Sequence, residues 1–135
     1  MYATCAAVRI THRVDRATCE LDLSNAGHPP ILRFSAVDSK VFAFPSNAPP
    51  LGLLPESEFF SHTVEAGVGD LLLIATDGVT EVCDVAGQEF GIERVQSLLI
   101  EQHHKPLEVI AAEILEASAR WGKQMDDQTL LLVRF

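Results

Sequence analysis

The sequence predicts an α+β domain in which an antiparallel sheet carries helices on one face. Three observations lead to this fold class. Short stretches in the first half of the chain alternate apolar and polar residues, which is typical of strands. Two later stretches, at 92–99 and 107–118, repeat apolar residues with the spacing of an amphipathic helix. A last apolar run at 129–133 then returns the chain to the sheet.

The first predicted strands form two successive pairs. The four strands comprise residues 2–10, 19–25, 31–34 and 41–44. A polar connection at 11–18 separates the first two strands and predicts a hairpin. Asp38, Ser39 and Lys40 provide the turn between the other two. The sheet is therefore predicted to continue through the first third of the chain.

The middle of the chain contains a loop followed by the central strand. Residues 45–55 hold four prolines, and because proline cannot donate to a strand ladder we expect an ordered surface loop here. Strand-like sequence resumes at 61–64, and Gly67 and Asp70 mark the next turn. The following segment, Leu71–Ala75, is entirely apolar, which predicts a strand buried on both faces.

Two helical stripes follow this strand. Their apolar-face positions are Ile92, Val95, Leu98 and Leu99 in the first stripe, and Leu107, Ile110, Ala111, Ile114, Leu115 and Ser118 in the second. Pro106 precedes the second stripe and suits the first turn of a helix, because its missing N–H would have no intrahelical partner there. We therefore predict two amphipathic helices before the last strand.

The composition indicates one compact, acidic domain. The 135 residues include 19 Asp plus Glu against 10 Lys plus Arg, a formal charge of −9, without a basic stripe, so no nucleic-acid partner is expected. The three cysteines have neither zinc-site nor disulfide-framework spacing, which indicates reduced thiols. No apolar run approaches a membrane span and no signal peptide is recognisable, so we expect a soluble, cytoplasmic protein.

Three acids flank the predicted buried strands. Asp77 directly follows the predicted buried run 71–76, and Asp126 and Asp127 precede the predicted buried run 129–133. If these two strands are antiparallel neighbours, the end of one and the start of the other share an edge of the sheet. Carboxylates gathered there could bind Mg²⁺ or Mn²⁺, which prefer oxygen ligands. Acids also commonly flank strands as turn residues, so their position alone leaves both interpretations open.

Five short motifs occur in one order along the chain. They are Ser24-Asn25-Ala26-Gly27-His28-Pro29-Pro30, Pro50-Leu51-Gly52-Leu53-Leu54, Thr76-Asp77-Gly78-Val79-Thr80-Glu81, Gly87-Gln88-Glu89-Phe90-Gly91 and Asp126-Asp127-Gln128-Thr129. Each motif is weak by itself. Together and in this order they resemble the metal-dependent, type-2C-like protein phosphatases, specifically the bacterial group named after stage II sporulation protein E. The resemblance covers essentially all 135 residues.

This resemblance implies a fold and a partial metal site. The family architecture is an antiparallel β-sandwich flanked by helices, the αββα phosphatase fold. The family's metal-ligating aspartates carry over to Asp77 and Asp126. Asp127, Gly78 and His28 are expected to support the site, Gly78 through backbone geometry and His28 by bonding or packing a loop. The implied reaction is hydrolysis of a phosphoserine or phosphothreonine ester by water held between two Mn²⁺ or Mg²⁺ ions, without a side-chain nucleophile.

The chain departs from the family pattern in its first part. The family's bridging aspartate and a further acidic motif precede the position that corresponds here to Met1. Asp15, Asp22 and Asp38 do not replace them, because they lie in strand or turn contexts without the matching flanks. We therefore expect residues 1–135 to form a single partial phosphatase domain whose N-terminal part is missing.

Three functional hypotheses remain open. In the first, the intact domain is a metal-dependent serine/threonine phosphatase acting on a regulatory phosphoprotein, such as an anti-sigma-factor antagonist. In the second, the chain is a truncated or degenerate phosphatase that binds a signalling partner without catalysis, because two aspartates rarely hold Mg²⁺ tightly without further ligands. In the third, a second copy of the chain completes the sheet and the site in a homodimer.

Overall fold

Seven strands form two antiparallel sheets in the computed structural model, which describes residues 1–14 and 17–135. In chain order the elements are β1 (Cys5–His12), β2 (Thr18–Ala26), β3 (Ile31–Ser35), β4 (Lys40–Phe44), β5 (His62–Gly67), β6 (Leu71–Ala75), α1 (Asp77–Thr80), α2 (Ile92–Gln102), α3 (Leu107–Trp121) and β7 (Leu130–Arg134). The strand orders are β1-β2-β5 and β4-β3-β6-β7. The predicted α+β class, an antiparallel sandwich with helices, is confirmed. Asp15, in the predicted hairpin connection, lies outside the described residues.

The apolar layer between the two sheets is built by alternation along each strand. Leu21 and Leu23 of β2 are buried against Ile31 of β3 and Leu72 of β6, because successive side chains of a strand point to opposite faces. On the other face of β2, Asp22 accepts hydrogen bonds from side chains of both neighbouring strands. The three-stranded sheet therefore turns its apolar face towards the other sheet and its polar face outwards.

Strand β6 occupies the centre of the molecule. Leu71 and Leu73 pack towards the helices, Leu72 packs towards the three-stranded sheet, and all three are at most 2% exposed. Burial on both faces explains why this strand is a continuous apolar run. β6 pairs antiparallel with β7, and Ala75 lies opposite Leu130. The end of β6 and the start of β7 therefore meet at one edge of the sheet, as predicted.

Helices α2 and α3 cover the outer face of the four-stranded sheet with one apolar stripe each. Val95 and Leu99 of α2 and Ile110 and Ile114 of α3 are fully buried in the core that includes β3 and β6. Their spacing of four residues places each pair on one helical face. Pro106 immediately precedes α3, at its N-cap position. In the part of the chain that the structure describes, no helix is both long and apolar enough to cross a membrane.

A buried ion pair fixes the turn between β5 and β6. Asp70 is 2% exposed and accepts hydrogen bonds from the Arg33 guanidinium (2.6 Å) and from the backbone N–H groups of Ala36 (2.8 Å) and Gly67 (3.1 Å). These donors compensate a negative charge whose burial would otherwise be costly. The turn predicted from Gly67 and Asp70 is thus attached to strand β3.

Two strand boundaries differ from the predicted ones by three residues. β1 begins at Cys5, later than predicted, because the preceding segment pairs with the proline-rich loop through Ala3 and Leu51 instead of with β2. β5 continues to Gly67, beyond its predicted end, because it pairs along β2 as far as Thr18. In both cases the boundary of the strand is determined by the segment with which it pairs and not by its own sequence pattern.

Candidate functional site

Asp77 and Asp126 lie at the edge where β6 ends and β7 begins. Asp77 is the first residue of α1, which is a single helical turn. The sequence did not predict this helix, because four residues are too few to show a periodic apolar pattern. Asp126 lies in the segment before β7. The antiparallel pairing of β6 and β7 brings the two segments together. Both aspartates line one cavity of about 200 Å³, together with Gly78, Glu81, Val82 and Met125.

Each of the two carboxylates is fixed through one oxygen. Oδ1 of Asp77 accepts a hydrogen bond from the backbone N–H of Gly78 (2.9 Å), and Oδ1 of Asp126 accepts one from the backbone N–H of Asp127 (2.7 Å). Among the described residues, neither Oδ2 atom has a hydrogen-bond or ion-pair partner. Both side chains are exposed. Each aspartate therefore offers one free carboxylate oxygen, the ligand type that hard divalent cations prefer.

Two threonines connect the segments that carry the aspartates. The backbone N–H of Thr76 donates to the Thr129 carbonyl (3.0 Å), and the backbone N–H of Thr129 donates to the Thr76 hydroxyl oxygen (2.9 Å). The same hydroxyl donates to the carbonyl of Asp127 (3.2 Å). These bonds hold the residue before Asp77 against the residues after Asp126.

Gly78 allows the two segments to approach closely. A Cβ atom at this buried position would lie 2.3 Å from the carbonyl oxygen of Asp127 and 3.2 Å from that of Asp126. Any other residue at position 78 would therefore push the neighbouring backbone away. The space left by the missing side chain therefore keeps the segments of Asp77 and Asp126 in contact, and the supporting role of Gly78 in a metal site stays a prediction.

The two other residues predicted to support the site lie beside the main cavity. Asp127 contributes its backbone to the contacts described above and lines an adjoining surface depression. His28 shares a smaller cavity, of about 60 Å³, with Asp77. Its Nδ1 lies 3.0 Å from the carbonyl oxygen of Pro29, and its backbone N–H donates to Oδ1 of Asn25 (3.0 Å). His28 thus bonds to the end of β2 and to the loop that follows it, next to Asp77.

Glu81 and Met125 line the main cavity but were not among the predicted site residues. Glu81 follows α1, and Met125 precedes Asp126 in an exposed segment. The spacing of Glu81, four residues after Asp77, is a signal that could have identified it, because such residues share a helical face. No feature of the sequence marks Met125.

The described residues supply only part of a metal-binding set. Among residues 1–14 and 17–135, no group of three or more His, Cys, Asp or Glu side chains is arranged to hold a metal ion. Asp77 and Asp126 nevertheless have suitable chemistry for Mn²⁺ or Mg²⁺, since each has an exposed carboxylate. The two aspartates therefore suit two of the ligand positions of a divalent metal site, and further ligands are needed to complete it.

The chain has the fold of PP2C-type phosphatase domains. It is similar to the RsbU and RsbW domains of Rv1364c from Mycobacterium tuberculosis, with a TM-score of 0.71 and 28% identity over 85% of this chain and 32% of that one. The SiaA-PP2C domain of Pseudomonas aeruginosa gives 0.68 and 21% over 87% and 51%. The SpoIIE phosphatase domain of Bacillus subtilis (Mn presoaked) gives 0.64 and 18% over 97% and 56%.

The family of the chain follows from its sequence. Residues 1–135 match the family model described as stage II sporulation protein E (SpoIIE), so the chain belongs to this family. Protein IcfG from Synechocystis sp. (strain ATCC 27184 / PCC 6803 / Kazusa) is 27% identical over 122 residues, which are 89% of this chain and 19% of that protein. The family resemblance inferred from the five motifs is confirmed. The chain spans only part of the length of these relatives.

Proposed function

We propose that the chain forms part of a metal-dependent protein serine/threonine phosphatase that hydrolyses phosphoserine or phosphothreonine on a regulatory phosphoprotein. Residues 1–135 would constitute a single partial domain of this enzyme. The observation that carries the proposal is the cavity shared by Asp77 and Asp126, with one unpartnered oxygen on each carboxylate among the described residues. Membership of the SpoIIE family supports the same reaction class.

In this proposal Asp77 and Asp126 would hold Mn²⁺ or Mg²⁺, because each retains a carboxylate oxygen without a partner among the described residues. Divalent ions supply Lewis-acid chemistry when bound, lowering the pKa of a coordinated water and neutralising the oxygens of the transferring phosphoryl group. The protein holds the two carboxylates at one edge of the sheet by fixing their Oδ1 atoms. Gly78 permits the close approach, Asp127 contributes backbone contacts, and His28 fixes the loop next to Asp77.

The proposal is tested by Mn²⁺-dependent hydrolysis of a phosphopeptide by the full-length gene product. We expect Asp77→Asn and Asp126→Asn to remove most of the metal-dependent rate, because an amide is a much poorer ligand for a hard cation than a carboxylate. Asp38→Asn is the matched control, since Asp38 is exposed at the β3–β4 turn, at the opposite end of the sheet. Wild-type activity in Asp77→Asn would refute the assignment.

We further propose that the substrate is a cytoplasmic phosphoprotein of the anti-sigma-factor-antagonist type. The support is the resemblance to the sporulation phosphatase group, together with a 28% identical structure that contains RsbU and RsbW domains. If the enzyme recognises the folded surface of its substrate, kcat/KM should be higher for the phosphoprotein than for a phosphopeptide that has the same sequence around the phosphorylated residue. Equal values for the protein and the peptide would contradict recognition of a specific partner.

A second candidate function is a non-catalytic signalling module that has kept the partner-binding surface of a phosphatase. It is favoured by one observation, the incomplete metal-ligand set within residues 1–14 and 17–135. Calorimetric titration of the full-length gene product with Mn²⁺ separates the two candidates. Tight binding of two ions would support the enzyme, whereas phosphoprotein binding without Mn²⁺ binding would support the module.

If a homodimer completes the site, Mn²⁺ binding should accompany a doubling of the mass measured by light scattering.

A further inference from the structure

A polar network adjoins the candidate metal site. The side-chain Nε2 of Gln128 donates to the carbonyl of Gly78 (2.8 Å) and to the hydroxyl oxygen of Ser118 (3.2 Å). The Ser118 hydroxyl in turn donates to the carbonyl of Val79 (2.9 Å). Ser118 is fully buried and Gln128 is half-buried. The network therefore joins three segments, namely α1, the residues before β7, and helix α3.

This network supplies hydrogen bonds that α1 cannot make by itself. A helix of four residues forms a single turn, which is unstable in isolation, and the last carbonyl groups of any helix have no intrahelical partners. Gln128 and Ser118 donate to two carbonyls of this turn, those of Gly78 and Val79. Since a buried carbonyl without a donor is costly, the two side chains favour the observed position of α1.

The position of α1 matters because its first residue is Asp77. Gln128 lies two residues after Asp126, so its bond to α1 connects the segments that carry the two carboxylates. Thr76 makes a similar connection on the strand side of Asp77, and Gln128 makes one on the helix side. Ser118 extends the connection to the buried stripe of the 15-residue helix α3. The two carboxylates are thereby constrained from both sides.

We propose that Gln128 and Ser118 are positioning residues of the metal site, which act through Asp77 and Asp126 rather than on the substrate. This role rests on the proposed function of the two aspartates. The competing interpretation is that the network only stabilises the fold. The two interpretations differ in the expected metal affinity, because a positioning residue alters the arrangement of the ligands even where the fold remains stable.

The test uses the full-length protein with Gln128→Met, which keeps the side-chain length and removes the donor. Gln102→Met is the matched control, since Gln102 is also half-buried but lies at the end of α2. Mn²⁺ affinity is measured by titration, and amide hydrogen exchange of 76–82 and 126–129 is measured without metal. Gln128→Met should weaken Mn²⁺ affinity by roughly 10-fold, the low end of the effect of losing a group that orients a metal ligand, because Gln128 bonds the backbone beside Asp77 and not its carboxylate. It should also speed exchange in both segments. Gln102→Met should change neither quantity.

Two additional variants separate the hydrogen bonds from side-chain volume. Gln128→Glu keeps the shape of the side chain but replaces the donor with an acceptor that faces the Gly78 carbonyl. Because its added negative charge attracts cations, this variant is compared by amide exchange without metal, which it should speed at least as much as Gln128→Met. Ser118→Ala removes the bond to Val79 and one of the two acceptors of Gln128. It should change Mn²⁺ affinity in the same direction as Gln128→Met, and it provides an independent measurement if a Gln128 variant fails to fold.

The outcomes distinguish failure of this role from failure of the proposed function. If Gln128→Met matches Gln102→Met in Mn²⁺ affinity and exchange while Asp77→Asn loses affinity, the positioning role is overturned and the proposed function stands. If Asp77→Asn itself keeps wild-type affinity, the proposed function fails and the positioning role fails with it. A lower melting temperature of Gln128→Met with unchanged Mn²⁺ affinity would identify a purely structural network and overturn the positioning role.

Discussion

Alanine in place of Gly78 would force apart the two segments that carry the candidate metal ligands. Its Cβ would lie 2.3 Å from the carbonyl oxygen of Asp127, 2.9 Å from the carbonyl carbon of the same residue, and 3.2 Å from the carbonyl oxygen of Asp126. Ordinary van der Waals contacts of a Cβ begin at 3.4 Å, so the backbones must separate by roughly 1 Å. Because all three contacts involve backbone atoms, no side-chain rotation can relieve them.

The cost of this substitution should fall on activity more than on stability. Gly78 lies in α1 and is not among the described glycines with positive φ, so alanine gains about 0.5–1 kcal/mol of helix propensity. This gain opposes the cost of overpacking, typically about 1–3 kcal/mol. The free energy of unfolding should therefore fall by at most about 2.5 kcal/mol. A displacement of about 1 Å at a catalytic site can, however, reduce the rate on the order of 100-fold.

The assay compares kcat, KM and the thermal unfolding midpoint of the full-length protein in the presence of Mn²⁺. Gly67→Ala is the matched control, since a Cβ at Gly67 meets no heavy atom within 4 Å. We expect Gly67→Ala to keep the wild-type rate and Gly78→Ala to lose about 100-fold in kcat while remaining folded. A wild-type rate in Gly78→Ala would refute the reasoning, because it would mean that the separation of Asp77 from Asp126 does not limit the reaction.

Three further predictions concern stability, measured by urea titration. Asp70→Asn should lower the free energy of unfolding by about 3–5 kcal/mol, because it leaves the Arg33 charge without its buried partner. A hydrogen bond from Thr63 lowers the pKa of Asp22 below its ordinary value in the folded state. The stabilisation from the ionised Asp22 is therefore present above the ordinary carboxyl pKa and is lost as the pH falls towards the folded pKa, and Asp22→Asn should flatten this dependence. Gln102→Met should leave stability unchanged or raise it by up to about 1 kcal/mol, because Oε1 is buried without a hydrogen-bond partner among the described residues.

Each of these stability predictions has its own control. Arg120→Ala removes an ion pair with Glu116 in which both side chains are exposed, at 65% and 68%. It should lower the free energy of unfolding by well under about 1 kcal/mol. If Asp70→Asn lowered it by no more than this, burial would not be what makes the Arg33–Asp70 pair important. Thr63→Val should also flatten the acid profile, and an unchanged profile would exclude the hydrogen bond as the cause. A marked loss of stability in Gln102→Met would show that its Oε1 has a stabilising role.

The strands that could be predicted from the sequence are those whose burial imposes a pattern. Leu71–Ala75 is a continuous apolar run because both of its faces are covered, and that run is visible in the sequence. The predicted start of β1 was wrong, because alternation at the beginning of the chain does not reflect pairing within the sheet. Residues 2–4 alternate in polarity, but their backbone pairs with the loop at Leu51 through Ala3 instead of extending the pairing with β2. Alternation indicates a strand and does not identify its partner.

The candidate site was predictable to the extent that it follows from strand pairing. Asp77 and Asp126 flank two apolar runs, and antiparallel pairing of those runs is sufficient to bring them to one edge. The contact between Gln128 and Ser118 depends instead on how α3 packs beside α1. Ser118 is a polar residue in an apolar helical stripe, and its tertiary bonds to Val79 and Gln128 explain why it can be fully buried. No local pattern encodes such a contact.

The arrangement of Asp77 and Asp126 depends on contacts made within the described residues. The β6–β7 pairing, the Thr76–Thr129 bonds and the close approach at Gly78 do not involve a metal ion or a further ligand. Ligands that are already ordered bind a cation without the entropic cost of ordering their loops. An active phosphatase and a non-catalytic relative built on this chain would therefore differ in the supply of another carboxylate, since the same internal contacts would position these two in both.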